Sequence, residues 1–154
     1  MLSRTHDWQA DFAVFDQNGQ LAVVAEAKNK RGADLQWASE WFRNFSERQH
    51  SPGPPFVLLA TPEAFYLWKR TEKTESFEPA AAVDARRLFA SYLPSSKLEI
   101  SNIAGSTFEF IVGAWLDDVS HGLWPLAPEE RRLFGDSGLL EAVENGRVVS
   151  DVAA

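Results

Sequence analysis

Apolar residues run almost without a break through residues 12–16 and 21–28 ("FAVFD" and "LAVVAEAK"), and Asn18-Gly19 between them supplies the positive φ of a tight turn. The pattern predicts a β-hairpin. Neither run alternates apolar with polar, so the sheet they belong to is expected to be covered on both faces. Beyond the small and basic stretch NKRGA, "DLQWASEWFRNFSERQ" sets Leu35, Trp37, Ala38, Trp41, Phe42 and Phe45 on one helical stripe, with Asp34 as N-cap. "SPGPP" should end that helix. "FVLLA" and "AFYLWKR" then read as two strands around Thr61-Pro62-Glu63.

The second half reads as helical. TEKTESFEPA is polar and carries a proline, which predicts a loop, and "VDARRLFASYL" predicts a helix with Asp84 near its start. "STFEFIVGAWLDDV" predicts another: Ser106 and Glu109 have capping-box spacing, and Phe108, Ile111, Val112, Trp115, Leu116 and Val119 form one apolar face. That face has two readings, cover for the sheet's second side or a docking surface. One or two short helices complete the pattern, with Pro128 near one start and Asn145-Gly146 closing the last. The expected class is α/β in a single domain over 1–154, with its core in 8–70 and a helical part over 83–146.

Composition narrows the function. The 154 residues are 45% hydrophobic and 24% charged, an ordinary globular balance with enough chain for one core. No apolar run approaches the roughly 18 residues of a membrane span, and the start MLSRTHDWQA lacks a secretory core. With no cysteine, disulfides, thiolate zinc sites and thiol nucleophiles are excluded together. The expectation is a soluble, cytoplasmic protein without membrane partners. Its net charge of −7 argues against a simple DNA-wrapping module, although the acidity is uneven. Residues 1–73 hold 9 Lys+Arg against 9 Asp+Glu, whereas 74–154 hold 6 against 13.

The first hairpin carries the candidate chemistry. A loop centred between Asn18 and Gly19 pairs Phe15 with Ala22, Ala13 with Val24 and Asp11 with Glu26, so Asp11, Glu26 and Lys28 should share one face at one end. Two carboxylates about 5 Å apart repel by roughly 3 kcal/mol at an effective dielectric of about 20. A divalent cation reverses that sign. Carboxylate oxygens without nearby histidine or cysteine favour Mg²⁺ or Mn²⁺ over zinc, and a lysine beside the metal suits water activation or phosphate neutralisation. The plain alternative is a surface ion-pair cluster, because a Glu-x-Lys tripeptide alone is weak evidence.

Asp11, the hairpin, Glu26-Ala27-Lys28, the amphipathic helix and the next apolar strand together resemble the PD-(D/E)XK nuclease superfamily, the restriction-endonuclease-like fold. "ADFAVFDQNGQLAVVAEAKNK" is particularly similar to the N-terminal nuclease domain of type I restriction enzyme motor subunits, and the likeness covers roughly residues 8–70. It implies a central mixed β-sheet flanked by helices and Mg²⁺-dependent hydrolysis of DNA phosphodiester bonds, with Mn²⁺ substituting, in restriction, defence or DNA repair. It also implies that Asp11, Glu26 and the Ala27 carbonyl hold the metal, that Lys28 is the catalytic lysine, and that Gln36 matches a helical glutamine of related families. On an ideal helix Gln36 lies opposite the apolar stripe, with Glu40 and Arg43. Asp7 is the only acid upstream of Asp11. RNA is the second substrate expectation, and a homodimer or a partner subunit of a restriction or defence system the expected assembly. A catalytically inactive interaction module of the same fold is the other class.

Lys30, Arg31 and Arg43 have two readings, phosphate grip or solvated surface. Trp37, Trp41 and Trp115 are expected in the core, Trp124 beside Pro125 at the surface, and Asp16 in the turn. No role is assigned to His6, His50 or His121.

Overall fold

The computed structural model describes residues 10–48, 54–70, 77–86, 91–92, 105–123 and 128–150. The two apolar runs form β1 (Phe12–Phe15) and β2 (Leu21–Ala27), and the striped segment forms α1 (Leu35–Glu47). Strands β3 (Phe56–Ala60) and β4 (Ala64–Lys69) follow as expected. Asp34 caps α1, its Oδ1 accepting from the Trp37 N–H at 2.9 Å. Leu35 departs from the expected stripe: it is 48% exposed, leaving Ala38 and Phe45 as the fully buried contacts.

Two strands lie where the sequence predicts none. β5 (Ala81–Asp84) replaces the start of the helix expected from residue 83, and β6 (Arg147–Ser150) follows the Asn145-Gly146 turn. Among the described residues, the part over 83–146 is helical at Arg86, within the helix expected from residue 83, and in α2 (Gly105–Ser120), α3 (Pro128–Asp136) and α4 (Leu139–Val143). Helix α2 is already formed at Gly105, so Ser106 sits inside its first turn and is not the cap. Residues 87–90 of the expected helix, 51–53 of SPGPP, and His6, Asp7, His50 and Trp124 lie outside the described residues.

The strands make one six-stranded mixed sheet in the order β5-β4-β3-β2-β1-β6. β2 and β3 run parallel, joined through α1; every other neighbouring pair is antiparallel. Helices cover both faces. On one, α1 packs Ala38 and Phe45 against Val24, Val57, Leu59, Tyr66 and Trp68; Phe42 stacks on Trp68 with centroids 4.5 Å apart. On the other, the apolar face of α2 lies on Phe12, Val14, Val23, Leu58, Phe65 and Leu67. Between the two readings of that face, covering the sheet accounts for it: Phe108, Ile111, Val112, Trp115 and Leu116 are all buried. Gly113 lets α2 come down onto β1, because a Cβ there would stand 2.7 Å from the Phe12 ring. Among the described residues no helix is long and apolar enough to cross a membrane.

Candidate metal centre

The hairpin turn sets where its two carboxylates meet. Asp16 N donates to Gln20 O at 2.8 Å, and Gly19, at φ 82°, closes a loop of three residues where a two-residue turn was expected. Phe15 consequently faces Leu21, not Ala22. A bulge between Val14 and Phe15 then absorbs one residue, and Val14 faces Val23, Ala13 faces Val24 and Phe12 faces Ala25. The two one-residue displacements cancel, so the far end arrives in the register the sequence predicts.

At that end, Asp11 Oδ2 accepts from the Ala27 N–H at 2.8 Å, and Glu26 Oε1 accepts from the Asp11 N–H at 3.3 Å. Each acid thus grips the backbone of the other strand. Lys28 Nζ lies 3.4 Å from Glu26 Oε2, and the Lys28 N–H donates to Ala60 O at 2.9 Å, tying the residue to β3. With the Lys28 side chain 44% exposed, solvent screens the ion pair to less than about 1 kcal/mol. Glu26 is 18% exposed, and its pKa is raised, first by burial and then by the Asp11 charge, with Lys28 opposing both. An ionised Glu26 is thus under-compensated by the protein alone.

Asp11, Glu26, Ala27 and Lys28 are brought together; Gln36 is not joined to them by a hydrogen bond and stands exposed on the first turn of α1. Two hard oxygen donors on opposed strands, one of them electrostatically strained, suit Mg²⁺ or Mn²⁺. Among the described residues no group of three or more His, Cys, Asp or Glu side chains converges. Asp16 belongs to the turn as expected, with Oδ1 accepting from Asn18 N and Gln20 N at 2.9 Å each.

Two features here were not predicted from the sequence. One is the backbone N–H of Ala27 as the link between the acids. The other is the contact of Lys30, already a candidate phosphate grip, with Trp37: its Nζ lies 5.7 Å from the ring centroid, on a loop fixed by Gly32 N–H to Glu63 Oε1 at 3.3 Å. The lysine-aromatic spacing of seven residues, from a loop into a helix's first turn, was the only available signal. Trp115 is 1% exposed and in the core, whereas Trp37 and Trp41 are half-buried, and His121 is exposed with Nδ1 2.8 Å from Asp117 O.

Geometry and sheet order define an α/β protein with a mixed sheet between helical layers. No protein-family model, curated protein or solved structure matches the chain.

Proposed function

We propose that the chain is a Mg²⁺- or Mn²⁺-dependent nuclease with a restriction-endonuclease-like fold, hydrolysing phosphodiester bonds of DNA. The observation that carries this reading is the reciprocal grip of Asp11 on Ala27 N–H and of Glu26 on Asp11 N–H, with Lys28 against Glu26. It holds two carboxylates and an ammonium together at one sheet end. Asp11, Glu26 and the Ala27 carbonyl would hold the cation. When bound, the cation supplies Lewis acidity toward the phosphoryl oxygens and lowers the pKa of water.

Lys28 keeps its ammonium beside the acids through Glu26 Oε2 and directs its remaining donors at the attacking water or a non-bridging phosphate oxygen. Glu26, raised by burial and by Asp11, must be ionised to act as a ligand, so the activity should weaken as pH falls through its raised value. Gln36, untied to the acids, meets the nucleic acid from the first turn of α1. A setting in restriction, defence or repair follows from the resemblance alone, as does DNA over RNA.

The test compares cutting of supercoiled plasmid, linear duplex and single-stranded DNA in Mg²⁺ or Mn²⁺ by the native chain, Lys28→Ala and Glu26→Ala. Cutting lost in both variants and in chelator supports the assigned site; cutting that persists in them overturns it. A second reading, a non-catalytic module of a larger restriction or defence assembly, is favoured by the meeting of only two carboxylates among the described residues. It expects no cutting under any of these conditions.

A further inference from the structure

We propose that the loop after Lys28 reads single-stranded nucleic acid: Trp37 accepts one unstacked base, and Lys30 and Arg31 take the neighbouring phosphates. The inference rests on the nuclease reading for its polymer, but not on a bound metal.

Lys28, Lys30 and Arg31 put three cations within four positions of an otherwise acidic chain of net charge −7. Their loop is fastened at several points. Lys28 N–H donates to Ala60 O at 2.9 Å, Lys30 N–H to Lys28 O at 2.8 Å and Gly32 N–H to Glu63 Oε1 at 3.3 Å, while Tyr66 OH donates to Ala33 O at 3.3 Å. The backbone is held against β3, β4 and the turn between them, while the side chains of Lys30 and Arg31 are exposed. The acids nearby are already engaged: Glu63 by Gly32, Asp34 by the Trp37 N–H, and Glu26 by Asp11 and Lys28.

Lys30 instead rests over the Trp37 ring, 5.7 Å from its centroid. A contact between an exposed ammonium and a ring is weak and exchangeable. Trp37 is half-buried and packed against the core on the α1 side of the sheet, with its backbone held in the first turn of α1, so its ring has little freedom left to lose. A base that takes the ring releases Lys30 to the phosphate beside it.

Charge decides between single strand and duplex. Duplex affinity grows mainly with the number of phosphates neutralised, and this loop offers few cations on an acidic protein. Stacking is indifferent to net charge, but it needs a base face that a duplex hides. Two phosphate contacts on a single strand give a slope of log affinity against log salt of about −1.4, far shallower than duplex-wrapping proteins show.

The test is fluorescence anisotropy in chelator, with a fluorescein-labelled oligothymidine strand and a blunt duplex of equal length. The native chain should prefer the strand. Trp37→Leu should weaken strand binding about 10-fold or more and leave the duplex unchanged, Trp37→Phe should restore most of it, and Lys30→Gln with Arg31→Gln should flatten the salt slope. Strand binding unchanged in Trp37→Leu, or strand and duplex weakened equally, overturns the inference. Since chelator removes cutting from the readout, Trp37-dependent binding by a chain that never cuts in Mg²⁺ would sink the nuclease reading and leave this one standing; cutting with Trp37-independent binding would do the reverse.

Discussion

Asp11 and Asp16 stand at the two ends of β1, and both carboxylates accept backbone N–H groups, but from different sources. Asp16 takes its two donors from Asn18 and Gln20, within its own turn and open to water. Asp11 takes its donor from Ala27 on the neighbouring strand, in a part-buried place shared with a second acid. The first arrangement is local and satisfies itself. The second leaves an acid pair that Lys28 offsets only in part, and this distinguishes a turn residue from a candidate ligand of the same type.

The largest effect should come from separating the two ends by function. Asp11→Asn and Glu26→Gln are each expected to lower metal-dependent cleavage by at least about 100-fold, with Asp16→Ala cutting at the native rate. Equal losses in Asp11→Asn and Asp16→Ala would erase the contrast.

Next in size is the packing behind the turn end. A Cβ on Gly146 would stand 2.5 Å from Phe15 O and 2.9 Å from Val143 O, both backbone atoms that cannot swing away. Gly146→Ala should therefore cost about 2 kcal/mol in denaturant unfolding, while a change within about 0.5 kcal/mol, the scale of an ordinary surface substitution, would mean the strand gives way.

Smaller effects should come from Glu26 in the absence of metal. Burial and Asp11 raise its pKa, so in the pH range just above the ordinary glutamate value the folded chain keeps a proton that the unfolded chain has lost. Its contribution to stability is full below the ordinary value and is lost as pH rises through the raised one. Glu26→Gln should accordingly stabilise the chain in chelator at neutral pH, while losing the gain that a bound Mg²⁺ or Mn²⁺ would give the native chain. That gain is about 1.4 kcal/mol at a free cation concentration tenfold above Kd, and it should shrink on acidification. Thermal melts across pH, with and without cation, measure both; a Glu26→Gln variant that melts lower in chelator would contradict the strain. The smallest effect is Asp16→Ala, with about 1 kcal/mol lost with the turn's two hydrogen bonds.

Much of this was legible from residue pattern. Asn18-Gly19 announced the hairpin and Asp34 the start of α1, and the unbroken apolar runs announced a sheet covered on both faces. The site was legible for a less secure reason. The predicted register had Phe15 opposite Ala22, which is wrong, yet Asp11 and Glu26 still meet because the bulge beyond the longer loop restores the pairing. Loop length and bulge are chosen together by tertiary fit, which a turn dipeptide does not encode. β5 and β6 escaped for another reason. Val83 and Asp84 read as the start of a helix until β4 pairs with them, and Arg147–Ser150 has only two β-branched residues to signal an edge strand. Leu35 joined the apolar stripe by spacing alone, yet at the first position of α1 it is exposed.

The sheet order carries a consequence for how the protein is made. β1 lies between β2 and β6, so the strand that follows Asp11 has one neighbour within a few residues and the other more than a hundred residues later. On the ribosome, its outer edge stays unpaired until residues 147–150 emerge, and an open edge is a template for pairing with other chains. Nascent chains stalled before β6 should therefore be aggregation-prone and protease-sensitive at β1, and the acid pair should assume its final form late in synthesis.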